Sequence, residues 1–156
     1  DCTSPLHLVR RLNSIMHRST DSGSFVTAFV GWLEPASGVF RYVNAGHPEP
    51  HIVRDGNVRT LPATGIPLGM LSDFAWTEGE TVLEQGEMLA MFSDGIPEAQ
   101  RGLEFFEFER VADSLRAAES ETDLALAADR VMASVDEFAA GEHRADDVTL
   151  VLLRRG

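Results

Sequence analysis

The sequence predicts an α+β architecture in which helices and antiparallel strands form separate layers, and three observations carry that prediction. Apolar residues first recur at helical spacing, then fall into several short strand-like runs separated by turn residues, and then return to helical spacing twice before a last apolar run. No internal repeat, low-complexity tract or linker interrupts the 156 residues, so one domain is expected. The 44% hydrophobic and 8% aromatic content suits a globular core and lies above the range of disordered chains.

The elements follow in order. Ser4 followed by Pro5 starts a helix, and Leu6, Val9, Leu12, Ile15 and Met16 form its apolar face through about His17, opposite a basic face. Residues 24–33 and 39–44 read as two strands joined by the turn composition Glu34-Pro35-Ala36-Ser37-Gly38. A second hairpin, 50–54 with 58–61, closes on Asp55-Gly56, a pair suited to the positive φ angles of a tight turn. Residues 63–72 are a loop punctuated by Gly and Pro, and 74–83 a further strand. The run Met88-Leu89-Ala90-Met91-Phe92 is a buried strand ending sharply at Ser93-Asp94-Gly95. Phe105, Phe108, Val111, Ala112 and Leu115 then give one helix its apolar face, and Leu124, Ala127, Ala128, Val131, Met132, Val135 and Phe138 give the next. Ser120 and Asp123 form a capping pair before this second helix, and Gly141 follows its end. Residues 148–153 complete the chain as a strand preceded by Asp146-Asp147.

Charge and cysteine content exclude several function classes. With 13 Lys and Arg against 25 Asp and Glu, the net charge is −12, which on balance repels phosphate backbones and anionic membrane surfaces, so neither nucleic acid nor membrane is an expected partner. The charge-free stretches 22–33 and 60–72 are shorter than the roughly 18 residues a span needs. The only cysteine, Cys2, cannot form an intrachain disulfide and has no fixed base beside it at the chain end, so it is not expected to be a nucleophile. The cytoplasm is the expected compartment.

Chemistry is expected at the ends of two apolar strands. Asp94 directly follows one and Asp146-Asp147 precede the other, so antiparallel pairing of the two strands would gather these carboxylates at one sheet edge. Like charges so placed repel unless a cation lies between them or one is protonated. Oxygen donors without Cys or His favour Mg²⁺ or Mn²⁺ over zinc, and Gly95 lets the backbone turn tightly beside them. Taken by themselves, these are also common turn and strand-flank residues. His47 and His51 flank a glutamate in His47-Pro48-Glu49-Pro50-His51, but the prolines forbid the helix of a zinc-protease site. His47 is expected to organise a hairpin end with Asn44 and Gly46 or to receive substrate phosphate, and Glu98 to be an exposed loop residue or to lie beside the metal ligands. His7, His17 and His143 are expected at the surface, Trp32 and Trp76 in the core or on a sheet face, and Asp136 and Glu137 on a solvated helix face.

Five short motifs add to this reading by their order: Phe25-Val26-Thr27-Ala28-Phe29, Asn44-Ala45-Gly46-His47-Pro48, Gly65-Ile66-Pro67-Leu68-Gly69, Ser93-Asp94-Gly95-Ile96-Pro97-Glu98-Ala99 and Asp146-Asp147-Val148-Thr149. In these motifs the sequence resembles the SpoIIE/RsbU branch of the PPM (PP2C-like) serine/threonine phosphatases, from about Phe25 to Leu153. The resemblance implies a sandwich of two antiparallel sheets flanked by helices, with a two-metal Mn²⁺ or Mg²⁺ centre at one end. It implies that Asp94 and Asp146 bind the same ion, with Asp147 the lesser candidate ligand and Gly95 beside the substrate. The implied substrate is phosphoserine or phosphothreonine on an anti-anti-sigma (STAS-domain) protein, and the implied reaction is in-line attack by a metal-activated water with no covalent enzyme intermediate.

The family also carries an upstream D-x-x-G-H-G motif whose Asp bridges both metals, and no D-x-x-G occurs in this chain. The sequence is therefore expected to be the C-terminal part of such a domain or a pseudo-phosphatase. Three functions stay open: a metal-dependent phosphoprotein phosphatase, a catalytically inactive domain of the same fold that binds a sigma-factor regulator, and an acidic α+β module that forms a homodimer through its opening helix.

Overall fold

The computed structural model describes residues 4–19, 23–142 and 146–156; Cys2 and His143 lie outside them. The chain forms two compact units, Asp1–Glu49 with Leu61–Glu84, and Pro50–Thr60 with Gln85–Gly156. No helix among the described residues is long and apolar enough to cross a membrane.

The first unit holds helix α1 (Pro5–Ser19) and an antiparallel sheet of β1 (Ala28–Leu33), β2 (Val39–Ala45) and β5 (Gly79–Val82), in the order β1-β2-β5. Ser4 Oγ accepts from the His7 N–H at 3.2 Å, and Pro5 occupies a first-turn position where a missing donor costs nothing. Val9 packs with Val43, Ala45, Leu68 and Trp76, flanked by Leu6, Leu12 and Met16. Ile15, expected on this apolar face, is half exposed, and the buried neighbour is Asn13. Its amide donates to the Leu71 and Ser72 carbonyls and accepts from the Gly69 N–H, so it fastens the 63–72 loop to the helix.

Two strands are shorter than expected. Among the described residues, those before Ala28 contribute a single bridge, Val26 to Leu68. In the 74–83 segment only Gly79–Val82 joins the ladder, while Phe74 and Trp76 meet edge to face at 5.0 Å and Trp76 Nε1 donates to the Ile66 carbonyl at 2.8 Å. Packing against the loop overrides the strand preference of these aromatics. Trp76 is thus a core residue, whereas Trp32 is substantially exposed on β1.

The second unit holds an antiparallel sheet in the order β4-β3-β6-β9, from β3 (His51–Arg54), β4 (Asn57–Thr60), β6 (Met88–Phe92) and β9 (Leu150–Arg154). Asp55 and Gly56 turn between β3 and β4 with φ of 50° and 74°, as the Asp-Gly pair suggested. Helices α2 (Glu107–Ala118) and α3 (Leu124–Ala139) supply Val111, Leu115, Val131 and Val135 to a core shared with Val53, Met88, Ala90 and Phe92 of the sheet.

The start of α2 differs from expectation. A short hairpin, β7 (Gln100–Arg101) with β8 (Glu104–Phe105), precedes it, so Phe106 takes the core position while Phe105 and Phe108 stay 42% and 50% exposed. At α3 the Ser120–Asp123 capping pair does not form. Asp123 is itself the N-cap, its carboxylate accepting from the Ala125 N–H at 2.8 Å. Ala140 ends α3 in the left-handed region, followed by Gly141.

Candidate active site

The candidate site lies within the second unit, where β6 and β9 end beside each other. Their antiparallel register closes at Phe92 opposite Leu150, so Asp94 leaves the sheet where residues 146–149 enter it. The two apolar runs are thus antiparallel neighbours, the condition on which the expected juxtaposition depended.

Backbone and hydroxyl groups extend the ladder past its last strand pair. The Ser93 N–H donates to the Thr149 carbonyl at 3.0 Å. Ser93 Oγ donates to the Asp147 carbonyl at 3.0 Å and accepts from the Thr149 N–H at 2.9 Å, so one hydroxyl serves as both donor and acceptor between the segments. The turn that follows is held by Ile96 N–H to the Ser93 carbonyl and Glu98 N–H to the Asp94 carbonyl, at 3.2 and 2.9 Å.

Gly95 is buried at this crossing. A Cβ built on it would fall 2.5 Å from the Asp147 carbonyl oxygen, closer than real Cβ contacts come. The requirement for glycine here is therefore close backbone approach, and Gly95 is not among the residues with positive φ.

Asp94, Asp146 and Asp147 are all exposed, so the strand ends present carboxylates at the surface from two adjoining backbone segments. Asp146 Oδ1 accepts from the Asp147 N–H at 2.7 Å, which fixes one oxygen of that carboxylate on its own backbone and leaves the other. The donor set is oxygen only, the chemistry of a hard divalent cation. No group of three or more His, Cys, Asp or Glu that could hold a metal ion occurs among the described residues. The carboxylates fit Mn²⁺ or Mg²⁺ in kind.

His47 belongs to the first unit. There its backbone N–H donates to Asn44 Oδ1 at 2.9 Å, and the fully buried Asn44 also donates to the Leu61 carbonyl. The Asn44 side chain thus holds the His47 backbone; β2 and β3 belong to different sheets, so this segment is a connection after β2 and not the turn of a hairpin. His51 begins β3 opposite Ala90 and packs edge-on against Phe92 at 5.2 Å, a buried core histidine in a strand and not a metal ligand on a helix. Glu98 is exposed. Ser93 was not singled out by the sequence reading; its signal is a hydroxyl placed between a buried strand and the Asp-Gly turn, where a backbone group of the neighbouring segment needs a partner.

Comparison with known proteins places the chain in a family. The family model for Stage II sporulation protein E (SpoIIE) matches residues 1–156. Phosphoserine phosphatase RsbU of Bacillus subtilis (strain 168) is 30% identical over 106 residues, covering 66% of this chain and 31% of that protein. The chain spans about a quarter to a third of the length of such curated relatives. Among solved structures, the SiaA-PP2C domain of Pseudomonas aeruginosa superposes with a TM-score of 0.84 at 19% identity, covering 97% of this chain and 61% of that one. The phosphatase domain of SpoIIE from Bacillus subtilis, from a manganese-presoaked crystal, gives 0.71 at 22% identity, covering 94% and 64%. These structures share the PP2C-like α+β fold, and with the family model spanning every residue, the chain belongs to the SpoIIE family.

Proposed function

We propose that this chain serves in a metal-dependent protein serine/threonine phosphatase that removes phosphate from phosphoserine or phosphothreonine on a bacterial regulatory protein of the anti-anti-sigma (STAS) type. The observation that carries the reading is the crossing of Ser93-Asp94-Gly95 with Asp146-Asp147 at the end of β6 and β9, where Gly95 admits the Asp147 carbonyl. The relationship to a phosphoserine phosphatase at 30% identity supports the same reaction class.

Asp94 and the free oxygen of Asp146 would hold Mn²⁺ or Mg²⁺, with Asp147 as a further donor. When bound, the ion supplies a water of lowered pKa and positive charge for the phosphoryl oxygens. Ser93 and Gly95 hold the two carboxylate-bearing segments side by side, which supports their acting on one ion. Exposure of the three carboxylates suits a substrate carried on the surface of a folded protein, which could not enter a closed cavity. No side chain is assigned the role of nucleophile.

The test is phosphate release from a phosphoserine-bearing STAS protein by the full-length protein, with Mn²⁺ and with chelator, for the wild type and Asp94→Asn. Manganese-dependent release that falls at least about a hundredfold in the variant supports the reading. Undiminished release overturns it.

One observation favours a second reading. Since no three-donor group occurs among the described residues, a catalytically inactive phosphatase-like domain that binds regulators of sigma-factor partner switching accounts for the same fold. It requires the regulator to bind without release of phosphate at any manganese concentration.

A further inference from the structure

Next to the Asp94 turn, the second unit carries an open groove of about 490 Å³ lined by Pro97, Glu98, Phe105, Glu107, Phe108 and Glu109. One wall is the loop that continues from Asp94, and the other is β8 with the first turn of α2. Two of these residues are aromatic and three acidic.

The aromatic residues are not spare parts of the core. Phe106 fills the interior position and is 3% exposed, while Phe105 and Phe108 on either side of it are 42% and 50% exposed. Phe108 is nevertheless held in place, its ring 6.3 Å from that of the buried Phe92. Leu103, at the tip of the hairpin that supplies Phe105, is 98% exposed. Exposed apolar residues gathered beside a groove and rimmed by charge mark a binding surface, whereas single scattered ones do not.

The three glutamates, Glu98, Glu107 and Glu109, have no direct ion-pair partner among the described residues. Arg101 and Arg110, the nearest cations in sequence, both pair with Glu104 and both lie over the Phe138 ring, at 4.7 and 4.8 Å.

The two walls are also fixed to each other. The Glu107 N–H donates to the Pro97 carbonyl at 2.7 Å, and Glu107 adopts a φ of 66°, in the left-handed region that non-glycine residues avoid. The groove is therefore formed before anything binds, and a ligand need not organise it.

We propose that this groove docks a segment of the phosphoprotein substrate remote from its phosphate, an apolar side chain flanked by Lys or Arg. The apolar anchor would cover Phe105 and Phe108, and the cations would meet the three glutamates. This deepens the phosphatase reading and rests on it. It also explains how an anionic substrate can be drawn to a chain of net charge −12: the attraction is supplied by a basic segment at a distance from the phosphoryl group.

The probe is a fluorescein-labelled peptide with a Leu-Leu pair flanked by lysines, titrated with the full-length protein by fluorescence anisotropy, against a control peptide with glutamates in place of the lysines. The wild type is expected to bind the basic peptide at least tenfold more tightly than the acidic one, more weakly as salt rises. Phe108→Ala should weaken binding about tenfold. Glu109→Lys, a change on the exposed rim that does not threaten folding, should weaken it severalfold and flatten the salt dependence. Equal affinity for both peptides, or variants that bind like the wild type, would overturn the proposal. In parallel, both variants should raise KM for the phosphoprotein while turnover of p-nitrophenyl phosphate stays unchanged. If neither substrate is turned over by the wild type, the phosphatase reading fails, and the anisotropy result alone decides whether the groove binds a basic apolar segment.

Discussion

The Asp147 carbonyl oxygen occupies the space that a side chain at Gly95 would need. A Cβ there would lie 2.5 Å from the oxygen and 3.1 Å from the carbonyl carbon, both backbone atoms that cannot swing aside. Gly95→Ala must therefore part the two segments that carry Asp94 and Asp146. The expected cost is about 1–3 kcal/mol, read as a lower denaturant midpoint at unchanged slope, together with loss of phosphatase activity beyond what the stability change explains. The entropic gain of replacing glycine, about 0.4–1 kcal/mol, is smaller and does not reverse the sign.

Ser93 offers a milder perturbation of the same crossing. Ser93→Ala removes the donor to the Asp147 carbonyl and the acceptor for the Thr149 N–H without adding atoms. A loss of about 1–2 kcal/mol in chemical denaturation is expected. Activity should fall less than in Gly95→Ala, because the backbone bond from Ser93 to Thr149 persists.

At the other end of the chemistry, Asn44 and His47 should separate cleanly. The Asn44 carboxamide holds the His47 backbone N–H, a contact that His47→Ala keeps and Asn44→Ala destroys. Because Asn44 is fully buried, its removal leaves backbone groups without their partner and is expected to cost about 1–3 kcal/mol. Thermal melts should therefore rank Asn44→Ala well below His47→Ala. The reverse order would mean that the imidazole, not the Asn44 carboxamide, stabilises this segment.

Acid should act on the β7–β8 hairpin. Hydrogen bonds from Arg101 and Arg110 hold the Glu104 carboxylate below its ordinary pKa of 4.5, against a small opposing effect of burial. A folded-state pKa below the unfolded one gives stability that is present above the unfolded value and is lost as pH falls through the folded one. Thermal midpoints followed downward from about pH 5 should thus fall more steeply for the wild type than for Glu104→Gln. Parallel curves would show that the exposed pairs contribute nothing.

Much of this was legible in the sequence because local signals and packing agree there. Asp55-Gly56 dictated its hairpin turn, Pro5 and the apolar spacing after it dictated α1, and the apolar run ending at Phe92 placed Asp94 at a strand end. Pairing of β6 with β9 then followed only from the fold, since nothing local to Asp94 specifies that residues 146–149 lie against it. Legibility failed where tertiary contacts overrode periodicity. Phe105 and Phe108 fit a helical face by spacing, yet the intervening hairpin delays α2 and hands the core position to Phe106. Asn13 interrupts an apolar face because its amide serves the loop backbone, a demand invisible to hydropathy. Ser93 escaped notice for a similar reason, as a hydroxyl that bridges two backbone segments has no pattern in one of them.

The most direct measurement is a double-mutant cycle on manganese affinity by titration calorimetry of the full-length protein, using Asp94→Asn, Asp146→Asn and the double variant. If both carboxylates hold one ion, each single change weakens binding by at least about tenfold and the double change costs clearly less than the sum of the two. Effects that simply add, or single variants that bind manganese like the wild type, would contradict a shared cation at the end of β6 and β9.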